Sequence, residues 1–197
     1  FEVSINNLNN QNAEIYGDDL DMVAVAPFGT ELPVGMADLA APFKDLGWLS
    51  EDGVDWDDDV DTTDVKGHQG GRIVIKIPSS VSRTFKVQCL EETALTVGLR
   101  YPGWKPTEVA AAGGAPASYG GIVPGPTMDP HAYVLDMNSI TNAGHRKRYV
   151  VPNGVVTDMA TISNKRSGVA LYEFTVEALE GLVYLYFSGN QAAFKQA

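Results

Sequence analysis

A chain of 197 residues with a hydrophobic content of 44% can bury one sizeable core, and it is short for two ordinary domains. The formal net charge of −11 argues against a protein that binds nucleic acid tightly, because phosphate binding requires clustered Lys and Arg. A single cysteine, Cys89, forms no intrachain disulfide or multi-cysteine zinc site, and no apolar run approaches the roughly 18 residues that span a bilayer. We therefore expect one domain, no cofactor and no membrane insertion.

The first quarter of the chain predicts an arm followed by one strand. Residues 1–21 are polar and Asn-rich, which is typical of an extended N-terminal arm. Met22–Pro27 is a short apolar run that ends at a proline, and it predicts the first strand. Prolines and glycines then interrupt the chain, which leaves at most a turn of helix at 36–41. The 20 glycines and 11 prolines favour β structure with many turns over a helical fold.

An unusual acidic stretch follows residues 46–54, which read LGWLSEDGV and predict a short strand and a tight turn at Asp52-Gly53. We interpret residues 50–71 as a long loop. Its aspartates are Asp55, Asp57, Asp58, Asp59, Asp61 and Asp64. Clustered carboxylates can bind calcium, but the EF-hand spacing fails because Val60 occupies the glycine position and Lys66 the position of the bidentate glutamate. A solvated loop is the alternative to a calcium site.

The middle of the chain predicts a hairpin, a helix and a second long loop. Residues 72–77 and 83–89 alternate apolar and polar side chains, and 78–82 has the length of a hairpin connection. Residues 91–99 begin with two glutamates and place Leu95 and Leu99 four apart, which predicts a helix. Residues 101–130 are rich in Gly, Pro and Ala and predict the second loop.

The last third predicts the remaining strands. Residues 132–137, 147–151 and 155–162 have strand character, and Pro152-Asn153-Gly154 predicts a hairpin turn between the last two. Residues 168–179 alternate over their whole length. Residues 182–187 are apolar on both faces, so we expect them to be covered by the domain or by a neighbouring subunit. The predicted domain spans 22–190, and 191–197 form a C-terminal tail.

Candidate catalytic residues are few. His68 lies near Asp64 and His131 near Asp129, but neither pair has the spacing of a known metal or acid/base site. Cys89 falls on the inward side of an alternating strand, where a cysteine behaves as a small hydrophobe. No P-loop, nucleophile elbow or dinucleotide fingerprint is present. The sequence therefore predicts a protein that is not an enzyme.

The acidic segment and its flanks carry a family resemblance. The LGWLSEDGV segment resembles a motif near the start of major tail tube proteins of long-tailed, non-contractile (siphovirus-type) bacteriophages, especially those of actinobacteria. Residues 22–33, 85–99, 149–154 and 172–179 are similar to later family segments in the same order. The resemblance implies a mainly β fold, a β-sandwich or flattened barrel of two antiparallel sheets with one flanking α-helix.

The resemblance also implies a function. Subunits of that family form six-membered rings that stack into a hollow tube, through which double-stranded DNA passes without specific binding. Expected partners are further copies, the tape measure, the initiator and the terminator, all in the virion tail after synthesis in the host cytoplasm. The acidic loop becomes a candidate for the lumen or for ring stacking. Candidates for the subunit interface are Arg146, Lys147, Arg148, Leu185, Tyr186 and Phe187.

Two alternatives remain at this level. One is a calcium-dependent or adhesive β-sandwich binding module, and the other is a tail-terminator or connector protein of the same fold. Calcium would stabilise the first of these. The number of copies in the particle separates the second from a tube subunit.

Overall fold

The computed structural model describes residues 13–125, 127–189 and 194, and within them the fold is mainly β with one α-helix. The elements are β1 (Met22–Pro27), β2 (Lys44–Asp45), β3 (Leu49–Lys66), β4 (Ile73–Cys89), α1 (Ala94–Arg100), β5 (Thr107–Val109), β6 (Ser118–Gly120), β7 (His131–Asn138), β8 (Arg146–Met159), β9 (Tyr172–Ala178), a 3₁₀ turn (Leu179–Gly181) and β10 (Tyr184–Ser188).

One antiparallel sheet dominates the molecule. Its strand order is β2-β1-β7-β8-β9-β4-β3, and β10 also pairs with β8. The first half of β8 lies between β7 and β10, whereas its second half pairs with β9, with a register shift between Val156 and Asp158. β5 and β6 form a separate two-stranded sheet. The mainly β fold with one helix that the sequence predicted is confirmed.

The core lies between the two halves of this sheet. Val23 and Val25 of β1 share a buried cluster with Phe85 of β4 and Phe174 of β9, although β1 and β4 are far apart in the strand order. Sharing a core requires the sheet to fold over on itself. Trp56 of β3 completes the closure by stacking on Tyr149 of β8, with 4.4 Å between ring centroids.

A second, smaller cluster covers the opposite face of β1, β7 and β8. Ala24, Val134 and Val150 are buried there beneath Leu32, Leu39 and Phe43 of the β1–β2 connection. The sequence allowed at most a turn of helix at 36–41, and no helix forms there, since this connection is made of turns and irregular chain that cover the sheet.

The predicted loop at 50–71 is wrong over most of its length. β3 and β4 form a long hairpin in which Val54 to Lys66 pair with residues 73–87, so the predicted connection at 78–82 is strand as well. Pro78 lies at a bulge opposite Thr62, where β4 pairs with β3 alone. Proline has no backbone N–H to donate, and it is tolerated here because no strand pairs with the other side of β4 at this point. Gly53 does adopt positive φ, but it marks an irregularity within β3 and not a chain reversal.

The predicted hairpin at Pro152-Asn153-Gly154 is also wrong, since β8 runs through these residues without a break. Gly154 does not need positive φ here. A Cβ at this position would lie about 3 Å from the side chains of Val176 and Tyr133, so the glycine allows close packing of β7 and β9.

The helix begins later than the two glutamates suggested. Thr93 is its N-cap and forms a reciprocal capping box with Thr96, while Leu99 is buried and Leu95 packs against the core. The predicted loop at 101–130 contains the small β5–β6 hairpin. No helix of the described residues is long and apolar enough to cross a bilayer.

The predicted terminal segments are described in part. Residues 1–12 of the arm lie outside the described residues, and so does the predicted tail at 191–197, apart from Phe194.

Candidate assembly surfaces

The outer part of the β3–β4 hairpin extends away from the rest of the sheet. Residues 59–82, which we call the free hairpin, pair only with each other, because the contact between β4 and β9 begins at Thr84. Both faces of this two-stranded ribbon are open to solvent. An isolated hairpin is marginal in water, so these residues depend on the sandwich at one end and gain from a partner elsewhere.

Alternation along β3 divides its aspartates between the two faces. Asp55, Asp57, Asp59 and Asp61 are two residues apart and share one face, about 7 Å from each to the next, which we call the acidic face. Ser80 donates a hydrogen bond to Asp61 at 2.9 Å, and Lys86, opposite Asp55, is paired with Glu173 at 2.9 Å. The acidic face therefore keeps most of its negative charge.

The remaining two aspartates serve the hairpin itself. Arg83 Nε donates to Asp58 Oδ1 at 2.8 Å, and Lys76 Nζ donates to Asp64 Oδ1 at 2.8 Å. Arg83 also donates to the carbonyl of Gly181, in a turn where Glu180 adopts a φ of 61°. The two ion pairs join the strands of the hairpin to each other, and the contact of Arg83 with Gly181 links the base of the hairpin to the 3₁₀ turn.

The distal part of the free hairpin is apolar. Its exposed aliphatic side chains are Val60, Val65, Ile73, Val74, Ile75 and Ile77. A cluster of exposed aliphatic side chains on an open ribbon is characteristic of an interaction site, because an apolar strand without a partner is prone to aggregation.

The strand β10 forms a second open edge. It pairs with β8, and no other strand of the described chain pairs with it. Leu185 is 46% exposed and Phe187 39%, and Phe187 stacks on Phe194 at 4.3 Å. Tyr186 instead packs against the smaller buried cluster. A strand is confirmed within the predicted segment 182–187, although β10 begins at Tyr184. On the face that carries Leu185 and Phe187, Phe194 covers part of Phe187, and both side chains remain partly exposed.

The basic residues at the start of β8 have different environments. Arg148 is 2% exposed and forms a bidentate ion pair with Asp136, at 2.5 and 2.6 Å, while donating to the carbonyls of Gly35 and Ala37. This network ties the β1–β2 connection to the sheet. Because Arg148 is enclosed within its own subunit, we withdraw it as an interface candidate. Arg146 remains partly exposed, 3.5 Å from Asp136.

The end of the N-terminal arm docks beside this basic region. Tyr16 forms a bridge with Ser139, and the amide of Ile140 donates to the carbonyl of Ile15 at 2.8 Å. Glu14 Oε1 lies 2.5 Å from His145 Nδ1, and Asn142 donates to Glu14 Oε2 at 3.0 Å. The hydrogen bond from His145, with further ones from Ser139 and Asn142, lowers the pKa of Glu14 to about 2.

Lys147 lies under the same arm. Its ammonium is 4.4 Å from the ring centroid of Tyr16 and 5.3 Å from that of Tyr149. Burial between the two rings lowers the pKa of Lys147. The arm therefore covers one of the basic residues that the sequence had marked for a subunit interface.

Nothing in this arrangement resembles a catalytic centre. Among residues 13–125, 127–189 and 194, no cluster of His, Cys, Asp and Glu could hold a metal ion. His131 contacts the carbonyl of Asp129 through Nδ1 at 2.9 Å, and Cys89 is fully buried. The prominent features are open strand edges, an acidic face and exposed aliphatic side chains, which are the properties of a protein that associates with other subunits.

Comparison with known proteins identifies the family. The family model described as phage tail tube protein matches residues 9–186. The chain belongs to this family. As a tail tube protein it is a structural component of the phage virion tail and not an enzyme. No curated protein matches its sequence.

Several solved structures are similar to this tail tube protein at low sequence identity. The baseplate of the anti-feeding prophage aligns with a TM-score of 0.43 at 8% identity, over 84% of this chain and 91% of the other. The tube-terminating cap of that particle gives 0.43 at 11%, covering 94% and 98%. The virion of a native gene transfer agent gives 0.40 at 12%, covering 86% and 95%.

Sequence reasoning missed three functional features of this surface. The free hairpin was hidden because its β3 strand has no apolar alternation, and the Asp136–Arg148 pair is visible only once β7 and β8 are in register. The docking of Glu14 on His145 joins residues 131 positions apart. A short polar arm offers no local signal for such a contact.

Proposed function

We propose that this tail tube protein is the major tube subunit of a long-tailed, non-contractile phage. Six copies form a ring, and the rings stack into a hollow tube through which double-stranded DNA leaves the particle. The observation that carries this proposal is the pair of open apolar surfaces, the free hairpin and the outer edge of β10. A subunit with two different adhesive surfaces can bind a neighbour on each side and so close a ring.

The two surfaces are suited to each other. The free hairpin presents aliphatic side chains next to Asp59 and Asp61, whereas β10 presents Leu185 and Phe187 on the same face of the sheet as Lys147, which lies opposite Phe187. In our proposal the hairpin of one copy lies along β10 and the start of β8 of the next. Apolar burial supplies the affinity, and opposite charges set the register of the contact. Obligate interfaces of this kind bury about 2,000 Å² or more.

The charge of the subunit is compatible with a DNA conduit. Duplex DNA carries one negative charge per about 1.7 Å, so a basic wall would hold it while an acidic wall lets it slide. Six copies of the formal charge of −11 sum to 6 × −11 = −66 for each ring. Screening confines this field to within about 8 Å at physiological salt, so only side chains at the lumen act on the DNA. Asp55 and Asp57, at the base of the hairpin, are our candidates for that position.

Other partners follow from the same role. A tape measure protein would occupy the lumen during assembly, an initiator would nucleate the first ring, and a terminator would close the last. The resemblance of the LGWLSEDGV segment to tail tube proteins of actinobacterial phages favours a host of that kind.

Electron microscopy of the purified protein tests the proposal. We expect hollow tubes or stacked rings after the protein is concentrated at moderate salt, with an internal diameter that admits duplex DNA. A variant carrying Ile75→Asp and Ile77→Asp on the free hairpin should remain folded and form neither. Tubes of normal appearance from this variant would show that the hairpin is not the assembly surface.

A further inference from the structure

We propose that residues 13–16 of the arm act as an intramolecular shield, which occupies the basic surface at the start of β8 until another subunit displaces it. This inference rests on the proposed function, because the surface it shields is the one that we assign to the neighbouring hairpin. It adds a control on assembly that is built into the subunit.

The first support is the way in which the arm is held. Residues 13–16 run beside the loop that joins β7 to β8, with one bridge between Tyr16 and Ser139 and one backbone hydrogen bond from Ile140 to Ile15. The side chain of Glu14 then reaches His145 and Asn142. Thr141 accepts from the amide of Ile15, and Thr141 and Asn142 donate to the carbonyl of Ala13. The contact is short and polar, and Ile15 stays 57% exposed, so little apolar area holds it. Contacts of this size open readily without unfolding the domain.

The second support is what the arm covers. The ring of Tyr16 lies over the ammonium of Lys147, and the carboxylate of Glu14 is bonded to His145. Without the arm, His145 and Lys147 would be open beside β10, on the face of the sheet that carries Leu185 and Phe187, because Phe187 lies opposite Lys147. With the arm docked, this surface is partly neutralised and one of its cations is half-buried.

The third support is chemical similarity between the arm and the proposed partner. The arm offers a carboxylate on an extended backbone, and so does the free hairpin, where Asp59 and Asp61 follow one strand. Two extended acidic segments compete for one basic surface. In dilute solution the arm occupies the surface, because its effective concentration is high. When subunits are concentrated, the hairpin of another copy displaces it.

The arm continues into a segment that permits release. Gly17 has a φ of 126°, open space surrounds the position where a side chain would begin, and Asp19 and Leu20 are exposed. The chain is held again at Asp21, because the backbone amide of Asn138 donates to the Asp21 carboxylate at 2.5 Å. Residues 13–16 can therefore leave the surface while the chain from Asp21 onward stays in place.

The test compares Glu14→Ala with Asp19→Ala in the full chain. Both variants lose one arm carboxylate, but Asp19 is exposed and its carboxylate has no hydrogen bond or ion pair within the described residues, so Asp19→Ala is the matched control. Hydrogen exchange at the amide of Ile140 reports docking, because that amide donates to Ile15, and light scattering reports the lag and the critical concentration of assembly. We expect Glu14→Ala to speed exchange at Ile140 and to lower the critical concentration about fivefold, with Asp19→Ala like the wild type.

The outcomes separate the two proposals. Faster exchange at Ile140 with an unchanged or longer lag would overturn the shield and leave the ring-forming role intact. Equal acceleration by Asp19→Ala would also overturn it, because general charge reduction would then explain the effect. If neither the wild type nor any variant assembles when it is concentrated, the ring-forming role itself is contradicted.

Discussion

At the scale of single residues, the ion pair between Asp136 and Arg148 organises the outer face of the sheet. Both side chains are almost fully buried, and the guanidinium also holds two carbonyls of the β1–β2 connection. Removing one partner leaves the other charge buried without compensation, which is far more costly than losing a surface pair.

Arg148→Met should therefore destabilise the subunit by about 3–5 kcal/mol in urea unfolding. Arg146→Met is the control, because Arg146 is partly exposed and its contact with Asp136 is 3.5 Å, so we expect a loss below about 1 kcal/mol. Similar losses for both variants would mean that the buried pair does not hold the connection in place.

Cys89 illustrates a residue whose role the sequence predicted correctly. It lies on the inward side of β4 and is fully buried, as its alternation with Phe85 and Val87 indicated. Burial raises the pKa of the Cys89 thiol from its ordinary value of 9.0 to about 12. The folded state thus holds this proton more tightly than the unfolded state does.

Two results should follow for Cys89. Alkylation at about pH 8.5, near the ordinary pKa of a thiol, should be negligible in the folded protein and rapid in urea. The contribution of this thiol to stability is fully present below pH 9 and is lost as the pH rises towards 12, so Cys89→Ala should show a shallower alkaline decline than the wild type. Equal alkylation rates with and without urea would contradict its burial.

At the scale of elements, the sequence predicted strands whose side chains alternate between core and solvent. β1 has the predicted bounds, and β9 falls within the predicted 168–179 because Tyr172, Phe174 and Val176 face the core. The β3 strand could not be predicted this way, since a ribbon without a buried face needs no apolar alternation. The continuous β8 was missed because Gly154 serves packing and not a turn.

The two residues that we expected at an interface on β10 should now behave differently. Leu185→Asp places a charge at an exposed site, so it should change the free energy of unfolding by no more than about 0.5 kcal/mol and still block ring formation. Tyr186→Asp should lower stability as well, because Tyr186 packs against Ala24, Val134 and Val150. Urea unfolding and electron microscopy of both variants check this, and normal tubes from Leu185→Asp would rule out β10 as an interface.

At the scale of the whole molecule, one shared core holds the folded sheet together, and our proposal assigns the subunit contacts to the exposed elements. The family resemblance indicated this division, but the positions of the contacts depend on pairs distant in sequence, such as Trp56 on Tyr149 and Glu14 on His145. Neither periodicity nor composition contains that information. The acidic segment was therefore predicted at the correct residues, but these residues form a strand and not a loop.

Cryo-electron microscopy of the intact phage tail tests the central claim most directly. We predict that this chain forms the tube wall along the whole tail, with six copies in each ring, the free hairpin against β10 of a neighbour and Asp55 and Asp57 facing the lumen. Density for this chain at one end of the tail only, or a ring with a different number of copies, would contradict the account.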